Sequence, residues 1–311
     1  MKKIRKALVI VLVLVLALGM CACGSDGGSD GTDKKTAAET PAQEQKQDNT
    51  AEAPETAAVP EIEETVVVDN ELCAITITGI EEDKIWGTEL KVRLENRSDS
   101  LNLMFSLTDA AVNGVSSTAL LAETVAPGKK SNTSITLFNS DFKPEDIGGL
   151  TDIELAFRVY NSDDWTADDT ANAKIHIYPY GEENAVRFVR ESQPDDVVLL
   201  DNEAVTVIAT GSTDGGLLSG FGLELYLVNK TDRNLMFTAD DVSINGYMAD
   251  PFWANGVGAG HSAFTEMSWL KSSLEENGIT DVEDVELTLR IYDSDDWFAD
   301  DIFNGTLSIK P

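Results

Sequence analysis

Apolar and polar residues alternate along most of this chain. In "TELKVRLEN", Leu90, Val92 and Leu94 share one face, while Lys91, Arg93 and Glu95 share the other. "GLELYLVN" repeats the pattern with Leu223, Leu225 and Leu227. "IELAFRVY" places Leu155, Phe157 and Val159 inward and leaves Glu154 and Arg158 outward. A period of two is the signature of a half-buried β-strand. "CAITIT" and "VTVIAT" add β-branched runs, and "AKIHIY" and "GTLSIK" read as further strands. "NRSD" and "NKTD" are turn sequences, whose Asn and Asp side chains accept local backbone hydrogen bonds. One patch departs from this pattern. "SSLEENGI" (272–279) reads as a short helix with a capping serine, acids in its first turn and Gly278 as its stop. "NSDFKPEDIGG" allows about one helical turn at the matching place.

The pattern occurs twice. "DNELCAITITG" at Asp69 answers to "DNEAVTVIATG" at Asp201, and "VNG" at Val112 to "ING" at Ile244. "DIELAFRVYNSDDWTADD" at Asp152 answers to "DVELTLRIYDSDDWFADD" at Asp284. The offset is 132 residues, becoming 133 at the start of the "NRSD" turn because "ENRSDSLNLMF" is one residue longer than "VNKTDRNLMF". Agreement in order, spacing and identity over this length marks a domain duplication. Seven or so short strands in about 113 residues predict an all-β fold. We expect two tandem immunoglobulin-like antiparallel β-sandwiches, repeat 1 at 66–178 and repeat 2 at 197–311, with a polar connector at 179–196. The Cys–Trp–Cys hallmark of antibody domains is absent. Val186–Val189 in the connector reads as an extra strand.

The amino end changes the setting. "MKKIRK" and then 14 apolar residues, Ala7 to Met20, form a signal peptide over 1–22, too short for a spanning helix. "LGMCACG" follows and matches a lipobox. Cys23, preceded by Ala22, is the expected lipidated residue and Cys21 the alternative. Residues 23–65 are rich in Gly, Ser, Asp, Thr, Ala, Glu, Gln and Pro and read as a disordered acidic tether. The formal charge of −32 becomes −36 once Lys2, Lys3, Arg5 and Lys6 are removed. Such a chain is repelled by nucleic acid and by anionic headgroups, so the acyl chains must hold it to the membrane. Cys73 is then the one cysteine left, so no internal disulfide forms. It reads as a buried, inert thiol, and Val205 replaces it in repeat 2.

Lipobox, tether and copies carrying "N-x-[ST]-D…NLMF…NG…[VI]-Y-x-S-D-D-W" resemble the small immunoglobulin-like domains of Gram-positive surface lipoproteins. The resemblance spans nearly the whole chain. It implies the sandwich fold and the outer face of the cell membrane, and it brings no active site.

No constellation for catalysis is present. His176 reads as a polar strand residue beside Lys174, and His261 as a turn residue where repeat 1 has Lys129. No Ser/His/Asp arrangement, H-E-x-x-H, CxxC or phosphate-binding glycine loop appears. The duplicated acidic stretch carries the remaining chemistry. Asp163, Asp164, Asp168 and Asp169, with Asp295, Asp296, Asp300 and Asp301, surround Trp165 and Trp297. Three readings stand. The stretch is a hairpin turn with Asx-type bonds, over which the tryptophan folds. It holds calcium, although the EF-hand glycine is missing. Or tryptophan and carboxylates together grip a sugar or a basic peptide. "DPFWANG" (250–256), unshared between copies, adds Phe252 and Trp253 as a candidate partner contact or as a cover over the sandwich edge.

The expected protein is therefore non-catalytic, with no required cofactor. It is lipid-anchored on the extracellular face and displays two modules to a wall component, protein or glycan. The alternatives are a spacer or accessory subunit without a ligand, a calcium-binding surface protein, and an acid-pair hydrolase. A hydrolase needs carboxylates about 5–10 Å apart across a cleft, which acids adjacent in one turn do not supply. Replacing both Cys21 and Cys23 with serine is expected to release the processed chain from the membrane fraction. Retention after processing excludes the lipid anchor.

Overall fold

The computed structural model describes residues 62–83, 85–214, 219–296 and 298–311. The expected signal peptide, Cys21, Cys23, the expected tether up to residue 61 and Trp297 lie outside the described residues. The fold is all-β and antiparallel within each repeat. Repeat 1 runs β1 (Thr65–Asp69), β2 (Cys73–Asp83), β3 (Gly87–Asn96), β4 (Leu103–Val112), β5 (Val115–Ser116), β6 (Ala122–Val125), β7 (Lys130–Phe138), β8 (Ile153–Asn161) and β9 (Ala171–Ile177). Repeat 2 follows the same order. It runs β10 (Val197–Asp201), β11 (Val205–Thr213), β12 (Ser219–Asn229), β13 (Leu235–Ile244), β14 (Tyr247–Met248), β15 (Ala254–Val257) and β16 (Ser262–Leu270). Helix α1 (Lys271–Glu276), β17 (Val285–Asp293) and β18 (Phe303–Ile309) complete it.

In repeat 1, β1-β2-β3-β7 form one sheet, and β4, β5, β6, β8 and β9 pair into the facing one. Their inward side chains make a single core. Leu90, Leu94, Leu103, Phe105, Leu155, Phe157 and Val159 are completely buried in it, as is Cys73, whose thiol burial pushes above the ordinary cysteine range. Repeat 2 builds a separate core in the same way, around Leu227, Phe237, Trp269 and Ile291. The inward positions of the alternating stretches are therefore the core positions.

Ahead of residue 66 the chain already touches repeat 1, and two sequence expectations are corrected. Ile62 packs on the core and Glu64 accepts a hydrogen bond from Arg93 at 2.5 Å. No strand forms at Val186–Val189. Helix α1 is capped at Leu270 without a side-chain hydrogen bond, so Ser272 is not its cap, and no acid lies in its first turn. Its stop is as expected, with Gly278 at φ +68° donating its N–H to Glu275 O.

Two buried asparagines organise equivalent turns. Asn96 Nδ2 donates to Leu101 O and Val125 O, both at 2.7 Å. Asn229 Nδ2 donates to Arg233 O at 2.6 Å, Val257 O at 3.0 Å and Gly258 O at 2.9 Å. An amide answers otherwise orphaned carbonyls here, which is why the same residue recurs. Asn113-Gly114 and Asn245-Gly246 form hairpin turns with both φ values positive, at 52° and 79° and at 50° and 80°.

The described residues fall within one compact unit that holds both cores. Ser262 of β16 pairs in parallel with Val115 of β5, its N–H donating to Gly114 O at 2.9 Å. The connector lies in this joint. Phe188 N–H donates to Asn113 O at 2.8 Å, and its ring lies 5.8 Å from that of Phe264, which itself packs on the repeat 1 core. Arg190 pairs with Asp196 through two bonds of 2.7 Å and lies over Tyr226. Arg187 donates to Gly260 O.

Asn229→Ala removes the three hydrogen bonds its Nδ2 donates and the two its Oδ1 accepts from Thr231, and strands buried carbonyls. It is expected to lower stability by about 2 kcal/mol, while Asn172→Ala on the exposed face of β9 stays within about 0.5 kcal/mol. Urea unfolding of the two variants checks this, through the midpoint at unchanged slope.

Candidate functional site

Each acidic stretch is a connection between two paired strands, β8–β9 in repeat 1 and β17–β18 in repeat 2. Most of its acids serve the turn. Asn161 Oδ1 accepts Asp163 N–H at 3.1 Å, and Asp293 Oδ1 accepts Asp295 N–H at 2.9 Å, an Asx-type bond in each copy. Asp163 Oδ2 accepts Asn102 Nδ2 at 2.9 Å, and Asp295 Oδ2 accepts Asn234 Nδ2 at 3.0 Å. Asp164 and Asp296 hold the N–H groups of Thr166 and Phe298. Asp169 takes the Nε–H of Arg158 on both oxygens at 2.9 Å, and Asp301 takes that of Arg290 at 3.0 and 3.1 Å. Both guanidinium groups lie 4.5 Å above a tyrosine ring, Tyr160 and Tyr292. The Arg290 partner holds the Asp301 carboxyl below its usual range.

The "NLMF" asparagines therefore tie the acidic loop to β4 and β13 through their side chains, while their carbonyls accept Ser162 and Ser294 N–H at 2.9 Å. Asn234 Oδ1 also accepts the backbone N–H of Ala259 at 3.2 Å. Among the described residues, no three acids of either loop converge as metal ligands.

The aromatic residues separate. Trp165 is 75% exposed and does not fold over the end of the sandwich. Phe298, one position along in the second loop, is 99% exposed. In the unshared loop Phe252 is 86% exposed. Its neighbour Trp253 covers the edge, packing on the core with Nε1 donating to Thr265 Oγ1 at 3.1 Å. Of the candidate contact residues, Trp165 and Phe252 stand free on the surface and Trp253 does not.

A second cluster, which the strand pattern hid, gathers at the joint. Glu154 lies on the polar side of β8, yet it is buried there because repeat 2 covers it. His261 from repeat 2 is 2% exposed, and its Nε2 lies 2.9 Å from Glu154 Oε1. Its Nδ1 faces Asp109 Oδ2 at 3.7 Å, and among the described residues it is the one buried side-chain nitrogen or oxygen without a hydrogen-bond partner. Lys174 Nζ lies 2.8 Å from Glu154 Oε2. Burial alone raises the Glu154 carboxyl; hydrogen bonds from His261 and Lys174 outweigh it and hold the group at about 2. Burial pushes Asp109 the other way, above its ordinary value. On the open side of Glu154, His176 Nδ1 lies 2.7 Å from Asp152 Oδ1. Asp152, Glu154 and His176 are the one group among the described residues whose metal-ligating atoms all lie within 4.8 Å of one another. The available signal was that both histidines of the chain occupy positions the duplication does not share.

No family model matches the chain, and no curated protein does. The arrangement has two chemical possibilities. Exposed rings beside a rigid carboxylate turn can bind, and a histidine–carboxylate group can hold a cation. Cys73, the one cysteine among the described residues, lies in the core.

A carboxyl lowered from 4.5 to about 2 stabilises the fold fully above pH 4.5 and loses that contribution as pH falls toward 2. Glu154→Gln is therefore expected to lower stability by about 1–3 kcal/mol at pH 7. The gap from the parent closes between pH 4.5 and 2. Urea unfolding at stepped pH checks both.

Proposed function

We propose that this protein is a non-catalytic surface lipoprotein that displays two immunoglobulin-like modules to an extracellular partner. The observation that carries the reading is Trp165. It is a large aromatic side chain, 75% exposed, on a turn whose own acids are tied down by hydrogen bonds. Exposing such a ring costs hydrophobic stabilisation that burial would recover, and aromatic residues held on rigid turns are typical contact anchors. Phe298 on the second loop repeats the arrangement. The partner that fits is a glycan face stacking on the ring, with hydroxyls donating to the loop carboxylates, or a basic segment of a wall protein.

The lipobox and the acidic tether supply location and reach in this reading. The alternative of a spacer without a ligand leaves the exposed rings without a role.

Wall saccharides and basic peptides, immobilised and probed with the whole chain, test the proposal. Trp165→Ala is expected to weaken capture about tenfold or more while shifting the thermal midpoint by no more than about 2 °C. Capture unaffected by both Trp165→Ala and Phe298→Ala excludes the loops as the contact and favours the spacer.

A further inference from the structure

Both histidines of this chain reach the same carboxylate. His261 Nε2 lies 2.9 Å from Glu154 Oε1, and His176 Nε2 lies 3.7 Å from Glu154 Oε2. The strand register sets Glu154 directly opposite His176. Asp152, two residues before Glu154, falls on the same face of the sheet. Paired strands thus present three donors from one rigid surface, and the ligand atoms of Asp152, Glu154 and His176 lie within 4.8 Å of one another.

We propose that Asp152, Glu154 and His176 form a binding site for a divalent cation of the zinc class. Four observations carry this. The first is donor type. An imidazole with two carboxylates suits zinc and its first-row neighbours, whereas calcium and magnesium take oxygen ligands. The second is ring placement. His176 lies between the two carboxylates, with Nδ1 2.7 Å from Asp152 Oδ1 and Nε2 3.7 Å from Glu154 Oε2. The third is support behind the ligands. The other oxygen of Glu154 is fixed by the buried ring of His261, and His176 stacks on Tyr178 with centroids 5.6 Å apart and planes 15° apart. The fourth is access. His176 is exposed and lines an open cleft of about 390 Å³, so water reaches the imidazole.

Lys174 is the competitor. Its Nζ lies 2.8 Å from Glu154 Oε2 and supplies positive charge there, but the side chain is half-exposed on a flexible stem. A divalent cation would displace it into solvent. The duplication provides an internal control. Repeat 2 keeps the two carboxylates as Asp284 and Glu286 but has Ser308 where repeat 1 has His176, and Thr306 where it has Lys174. Ser308 Oγ donates to Asp284 Oδ1 at 3.1 Å and offers no imidazole.

This inference does not rest on the display reading, and a failure of either leaves the other standing. The test is calorimetric titration of the whole chain with zinc, with the parent and all variants carrying Cys21→Ser and Cys23→Ser to remove competing thiols. One saturable equivalent is expected. His176→Ser, the residue repeat 2 already uses, is expected to weaken binding at least tenfold while leaving the zinc-free melting curve unchanged. Lys174→Thr is expected to tighten binding several-fold by removing the competing ammonium. Calcium in tenfold excess is expected not to displace zinc. Absence of saturable uptake, or zinc affinity unchanged in His176→Ser, overturns the site. Weaker binding in Lys174→Thr overturns the displacement of the lysine.

Discussion

Everything at the centre of this molecule depends on keeping one buried carboxylate ionised. Glu154 is a polar-face residue of β8 that repeat 2 has closed over. Taking an isolated carboxylate out of water costs several kcal/mol, so such a group persists only where partners replace the lost hydration. Here the partners come from different places. His261 belongs to repeat 2 and Lys174 to the neighbouring strand of repeat 1. The joint between the repeats is therefore an electrostatic fit as much as an apolar one. The connector reinforces it, with Phe188 seated against Phe264 and Arg190 between Asp196 and Tyr226.

The duplication explains what is shared, and the joint explains what is not. The asparagine clamps, the Asn-Gly hairpins and the arginine–aspartate pairs behind the acidic loops recur because each repeat must close the same turns on its own. His261 and Lys174 have no counterpart in the other copy, where Lys129 and Thr306 stand. Both converge on Glu154, where one copy meets the other. Identity between the copies thus marks what a single module needs to fold. Divergence marks what the assembly adds.

That distinction also describes how much could be read from the residues. Alternation located the strands and their inward faces, because the pleat enforces a period of two wherever one face is buried; Leu90, Val92 and Leu94 are buried as their spacing requires. Alternation says nothing of what covers the polar face from a hundred residues away, so Glu154 looked exposed. The same limit hid the role of Asn102, whose partner Asp163 is 61 positions on. The run Val186–Val189 has strand composition but no neighbour to pair with, and it became a packed connector. Ser272 has the chemistry of a cap, yet β16 runs straight into α1 and leaves Leu270 at the cap position. Trp165 was legible as a candidate, but its exposure depended on where the acids around it were held.

Among the described residues, the strand pairing between the two repeats is a single bridged pair, Val115 with Ser262, at the edge of much longer ladders. Such a geometry has a mechanical meaning. Within each repeat, a pull along the strands loads many ladder bonds together. At the joint the same pull bears on one bridge, the connector and a small ionic cluster. Under tension the molecule should therefore part between its repeats before either repeat unravels. The connector then sets how far they separate, so that the joint yields first and the two folds are spared.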